Sequence, residues 1–285
     1  MTYRTILLSL NEVARLPELL EAAVTVARTQ ADKKAPIHVS GLYVIPAAQI
    51  YPSIGFEAIP QTFDGTQAFF REHQQKVADS FTGTMSREGL TFDFRLVESK
   101  LPVISDEVVN QARAVDLVII AATDAAAPTG VEQDFVEQVV MGSGRPVLIL
   151  PNKGEALSAI KDVVVGWDGG REAARACFDA LPLLRKASTV RIVSVDPQKN
   201  PANRHAVPGA DIAEALARQG VKATAESYPT EGLDPGQALL RNAADAGSSL
   251  VVMGAYGHSR LSEMIFGGAT KFVLARHGLP ILMSH

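Results

Sequence analysis

Short apolar runs alternate along the chain with longer segments whose apolar residues recur three and four positions apart. The first spacing predicts buried strands and the second predicts amphipathic helices. TILLSL, HVSGLYVI, FDFRLV, DLVIIAA and PVLIL form a first set of runs; DVVVGW, VRIVSV, KATAESY, LVVMGA and PILMS form a second after a break. Helical spacing fills the gaps, as in Leu16 to Val26 and Ala173 to Leu184. Strands alternating with helices define βαβ units and a parallel sheet.

The two sets repeat each other in detail. Arg87-Glu-Gly-Leu answers Arg218-Gln-Gly-Val, Asp116-Leu-Val-Ile-Ile answers Ser249-Leu-Val-Val-Met, and Arg145-Pro-Val-Leu-Ile answers Leu279-Pro-Ile-Leu-Met. The period far exceeds the roughly 20 to 50 residues of a solenoid unit, so each copy is expected to hold its own core. The expected division is a first domain over 1–151, a connector over 152–160 within PNKGEALSAI, and a second domain over 161–285. Each copy is expected to be a doubly wound α/β domain with a five-stranded parallel sheet in the order 3-2-1-4-5. Between its second strand and the next helix the first copy carries PAAQIYPSIGFEAIPQTFDG, where the second has the polar PQKNPANRHAVPGA. Ile50, Tyr51, Ile54 and Phe56 favour burial, so this insertion either folds over its own domain or forms a lid or partner surface.

Composition narrows the partners. An apolar fraction of 47 % suffices for packed cores in a chain of 285 residues. Lysine and arginine total 27 against 31 acids, with no long run of either sign, so neither nucleic acid nor a membrane surface is an expected partner. No apolar stretch approaches the roughly 18 residues of a membrane span, and MTYRTILLSLNEVAR lacks a small-residue cleavage site. The single cysteine, Cys177, cannot form an internal disulfide, which suits a reducing compartment, and the cytoplasm is the expected location. Cys177 is expected to pack as a small core residue, and the histidine spacing matches no metal motif, so no metal ligand is assigned.

The densest chemistry lies in MGAYGHSRLSEMIFGGATKFVLARHG. Gly254 and Gly257 end an apolar strand where a doubly wound sheet gathers its ligands. Either they let a ligand approach the backbone, or they serve only tight turns and close packing. Gly267 and Gly268 open a helix-like segment whose free N–H groups, with the Thr270 hydroxyl, would favour an anion such as phosphate. Neither a P-loop nor a dinucleotide fingerprint is present. Gly257-His258-Ser259-Arg260 begins like a nucleophile elbow, but Leu261 stands where its second glycine is required, so no catalytic residue is assigned.

The array Gly254-x2-Gly257-x9-Gly267 resembles the ATP-binding signature of the universal stress protein family, G-x2-G-x9-G-[ST], and the duplicated layout resembles that family's tandem two-domain members. The resemblance implies the adenine nucleotide alpha hydrolase-like fold and a stress-response module that binds ATP. It places Asp168 beside the adenosine, Gly166 and Val195 along the adenine pocket, Met253 and Gly254 against adenine and ribose, and Gly257, Gly267, Gly268 and Thr270 around the phosphates. As a carboxylate, Asp168 is also of the donor type that magnesium accepts beside phosphates, although no metal ligand is assigned. Gly268 departs from the pattern, which has Ser or Thr there. Trp167 either stacks on adenine or fills the cleft.

In the first copy Leu10-Asn11 replaces Trp167-Asp168, Asp124 falls opposite Gly257, and Glu132 to Asp134 fall opposite Gly267 and Gly268. Acids where phosphate would sit imply that only the second copy binds nucleotide. The resemblance also implies that the two copies pack through their last strands as an intramolecular pseudo-dimer, with a homodimer of chains as a further option. A nucleotide-free interaction scaffold and a slow ATPase remain the alternatives.

Overall fold

The computed structural model describes residues 2–30, 36–48, 64–123, 130–154, 156–196, 208–256, 268–276 and 278–285. In the first half these form β1 (Thr5–Ser9), α1 (Leu16–Thr29), β2 (His38–Ile45), α2 (Asp64–Arg87), β3 (Thr91–Glu98), α3 (Ser105–Ala112), β4 (Leu117–Ala121), α4 (Phe135–Gly142) and β5 (Val147–Leu150). The second half runs β6 (Asp162–Gly166), α5 (Arg171–Asp179), α6 (Leu181–Leu184), β7 (Thr189–Val195), α7 (Ala210–Arg218) and β8 (Ala223–Tyr228). It closes with α8 (Pro235–Asp245), β9 (Leu250–Gly254), α9 (Gly268–Arg276) and β10 (Ile281–Ser284). The apolar insertion over 49–63, Asp124, and the stretch from Gly257 to Gly267 lie outside the described residues.

All ten described strands lie in one sheet, ordered β3-β2-β1-β4-β5-β10-β9-β6-β7-β8. The first half thus has the expected order 3-2-1-4-5, and the second repeats it in mirror sequence from the shared seam. Within each half every pairing is parallel. At the seam β10 pairs antiparallel with β5, Leu282 opposite Leu148. Inner strands β4, β5 and β10 are buried at every position, whereas the outermost β3 and β8 alternate between exposed and half-buried. Helices covering both faces of a parallel sheet make its central strands continuous apolar runs, and that is why those runs stand out in the sequence.

Further contacts cross the seam. The Tyr3 hydroxyl donates to Asp179 O (2.7 Å), Gln30 Nε2 to Pro182 O (2.6 Å), and Arg175 Nη2 to Gly144 O (2.7 Å). Gln30 and its acceptor are buried, so each needs the other.

One expected helix is two. Ala173 to Leu184 divides at Ala180, because Pro182 lacks an N–H and its ring clashes with a continuing turn. The Ala180 carbonyl instead accepts from Leu183 N and Leu184 N at 2.8 and 3.0 Å. Cys177 packs in the core as expected, and burial pushes its thiol up to about 12, far from a reactive thiolate. Among the described residues no helix is long and apolar enough to cross a membrane.

Candidate functional site

The strand order reverses its direction of winding between β6 and β9, the place where an open α/β sheet gathers its ligands. The register sets Val165 beside Val252, bringing Gly166, Trp167 and Asp168 to one wall and Met253 and Gly254 to the other. Val195 ends β7 on the far side of β6. Of the expected site residues, Gly166, Asp168, Val195, Met253, Gly254, Gly268 and Thr270 fall within the described residues, and Gly257 and Gly267 lie outside them.

Asp168 starts the helix beside it. Its Oδ1 accepts from Gly170 N at 2.7 Å, an Asx-type turn that leads into α5. The Trp167 N–H continues the strand ladder by donating to Val193 O (2.9 Å), and its half-buried ring packs against the core. Its Cδ1 lies 3.4 Å from where a Cβ on Gly209 would stand, at the start of α7. Ser194 Oγ, in the same neighbourhood, is buried without a hydrogen-bond partner among the described residues.

Packing explains two of the glycines. A Cβ on Gly254 would sit 2.5 Å from both the Ala173 N and the Glu172 carbonyl carbon, so the first turn of α5 rests directly on the end of β9. A Cβ on Gly166 would meet Leu239 Cδ2 at 2.8 Å. Of the two options open for Gly254, close packing therefore acts whether or not a ligand approaches. The left-handed backbone at this turn belongs instead to Tyr256, at φ +58°.

Thr270 is also engaged within the protein. Its Oγ1 accepts from Tyr256 N at 3.2 Å and the residue is buried, so the hydroxyl ties the first turn of α9 to the end of β9. Burial, then the negative charge of Glu137 of α4, push the Tyr256 phenol above the usual tyrosine range. Beneath the same corner, burial opposes the ionised Glu172 carboxylate, but hydrogen bonds from Arg171 and its own backbone, with the attraction of Arg171 and His285, outweigh it and hold its pKa low. Glu172 and His285 carried no signal in the sequence, because α5 and the end of β10 meet only in the folded second half.

The equivalent corner of the first half is closed. Leu10 and Asn11, in the places of Trp167 and Asp168, are 0 % and 1 % exposed. Asn11 Nδ2 donates to Val44 O at 2.6 Å and its Oδ1 accepts from Val44 N at 3.0 Å, continuing the β1 to β2 ladder through a side chain. Thr66 and Phe70 of α2 press on Gly130, where a Cβ would come within 2.8 Å of Thr66 Cγ2.

Glu132 serves a different helix from the one it precedes. Its carboxylate accepts from Ile104 N at 3.0 Å and Ser105 N at 2.6 Å, so it caps α3 while Asp134 stands at the start of α4. Replacing Glu132 with alanine strands these amides. We expect a loss of about 2 kcal/mol and a fall in thermal midpoint of roughly 4–8 °C, read by calorimetry; an unchanged midpoint would refute the capping role.

Residues 159–285 match the model of the universal stress protein family. A universal stress protein of Synechocystis sp. PCC 6803 is 26 % identical over 153 residues, covering 52 % of this chain and 49 % of the relative. The chain therefore spans about half the length of the curated relative it matches. Among solved structures, a universal stress protein from Archaeoglobus fulgidus DSM 4304 superposes with a TM-score of 0.66 at 16 % identity, over 98 % of this chain and 95 % of that one. A functionally unknown protein from Pseudomonas aeruginosa PAO1 gives 0.55 at 15 % identity, over 99 % and 92 %. These two likenesses concern the fold, and they extend over both halves.

Proposed function

We propose that the chain is an adenine-nucleotide-binding regulatory module of the stress response, holding one nucleotide in a second domain over 161–285. A first domain over 1–151 and a connector over 152–160 complete an intramolecular pseudo-dimer. The observation that carries this reading is the contrast between equivalent corners: Trp167 and Asp168 are half-exposed at the carboxyl end of β6, whereas Leu10 and Asn11 are sealed into the first half. ATP is the expected nucleotide. Gly166, Asp168, Val195, Met253 and Gly254 line the adenosine side; Gly257, Gly267, Gly268 and Thr270 supply the phosphate side through the amides that begin α9. The Asp168 carboxylate is a donor type that magnesium accepts.

A second reading has its own support. Gly254 is required by packing, and the Thr270 hydroxyl is already bonded, so the same sequence is compatible with a nucleotide-free scaffold. The two readings part on one observation. Protein purified without added ligand, denatured and examined by absorbance and mass spectrometry, is expected to release an adenine nucleotide. If it releases none and binds no added ATP, the scaffold reading stands. Slow ATP hydrolysis is compatible with the first reading, but no described side chain is placed to activate water.

A further inference from the structure

The helix α8 touches both sides of the proposed site. Its first turn starts at Pro235 and is capped by Asp234, whose Oδ1 accepts from Gly236 N at 2.8 Å. Gly236, Leu239 and Ala243 then form a buried row along one side of the helix. At the head of the row, a Cβ on Gly236 would stand 2.6 Å from the Ala269 carbonyl oxygen, 3.0 Å from Ala269 Cα and 3.1 Å from Val273 Cγ2. The first turn of α9 therefore rests on bare α8 backbone. One turn further on, Leu239 Cδ2 lies 2.8 Å from the Cβ position of Gly166, with Met253 Cβ 3.6 Å from the same point. One short stretch of α8 thus meets the end of β6 at Gly166 and the turn of α9 that carries Gly268 and Thr270. Glycine is a costly residue inside a helix, because it loses more conformational freedom on folding than alanine does. The first half shows the alternative. Its α3 has a buried row of the same spacing in Ser105, Val108 and Ala112, but the leading place is filled: the Ser105 hydroxyl donates to Gln138 Oε1 of α4 at 2.6 Å. A side chain occupies the contact between α3 and α4 where the second half keeps none.

We propose that Gly236 is a positioning residue: by carrying no side chain it lets α9 settle on α8, and so holds the first amides of α9 at the distance from Gly166 that a nucleotide spans between phosphate and adenosine. The role in binding rests on the nucleotide reading above; the seating of α9 on α8 does not. A methyl at Gly236 meets backbone, so relief comes from moving α9 away by about 1 Å to reach ordinary contact. Amide donors are directional, and a shift of that size takes a hydrogen bond of normal length out of range. The loss falls on the phosphates alone, because adenosine does not reach these amides. Leu239 supports the other side, beneath Gly166, and serves adenosine and ATP equally.

The test titrates the full chain with ATP and, separately, with adenosine, in the wild type and in two variants. Gly236→Ala is expected to lower ATP affinity about tenfold and to leave adenosine affinity within about twofold. Without ligand, its hydrogen exchange over residues 272–275 is expected to quicken, because α9 has lost its seat. Leu239→Ala is expected to lower both affinities by the same factor. Unchanged ligand-free exchange in Gly236→Ala overturns the seating of α9, whatever ATP does. Equal loss of ATP and adenosine in Gly236→Ala, or loss of neither, overturns the positioning role while wild-type binding keeps the nucleotide reading intact. Should Gly236→Ala fail to fold, Leu239→Ala still decides: a loss confined to ATP, or no loss, overturns α8 as the element that spaces the two sides. If the wild type binds neither ligand, the nucleotide reading falls and takes the positioning role with it.

Discussion

Replacing Gly254 with alanine should cost about 3 kcal/mol or more, because the new methyl meets backbone rather than a side chain able to swing away. The nearest atoms are the Ala173 N and the Glu172 carbonyl carbon, both 2.5 Å from the Cβ position. Relief requires α5 to lift off β9. Between them lies the buried Glu172, whose own Cβ is 2.8 Å from the same position. For a chain of this size the loss corresponds to a thermal midpoint lower by roughly 6–12 °C. Scanning calorimetry on purified protein reads it directly, and an unchanged midpoint would mean that the close approach of α5 is not maintained in solution.

Gly257→Asp should act on binding and not on the fold. An aspartate beside the triphosphate, at about 5 Å and an effective dielectric near 20, repels it by about 3 kcal/mol, which is roughly a hundredfold in affinity. The same substitution already exists within the chain, since Asp124 falls opposite Gly257 when the fourth strands are aligned. The variant is expected to keep its thermal midpoint while losing ATP in calorimetric titration. Wild-type affinity in a folded variant would remove Gly257 from the phosphate site.

The strands and their grouping were legible because burial on both faces leaves continuous apolar runs such as Leu117–Ala121 and Leu250–Gly254. Helix limits were less so: Pro182 divides a segment whose apolar spacing alone runs unbroken. The motif glycines were visible, but not their partners. Nothing near Gly254 in the sequence announces that α5 touches it, since Glu172 and Ala173 come from the other end of the domain. Glu132 shows the same limit. It stands just before α4 in the chain, and nothing local announces that the fold delivers it to Ile104 and Ser105. The union of β5 with β10 is a long-range consequence of duplication, and no local spacing encodes it.

The central claim is that the two halves share one fold but only the second retains room for an anion. Calorimetric titration of ligand-stripped protein with ATP and magnesium tests it most directly. The account predicts a stoichiometry near one per chain, abolished by Gly257→Asp. A stoichiometry near two, or no heat of binding at any concentration reached, would contradict it.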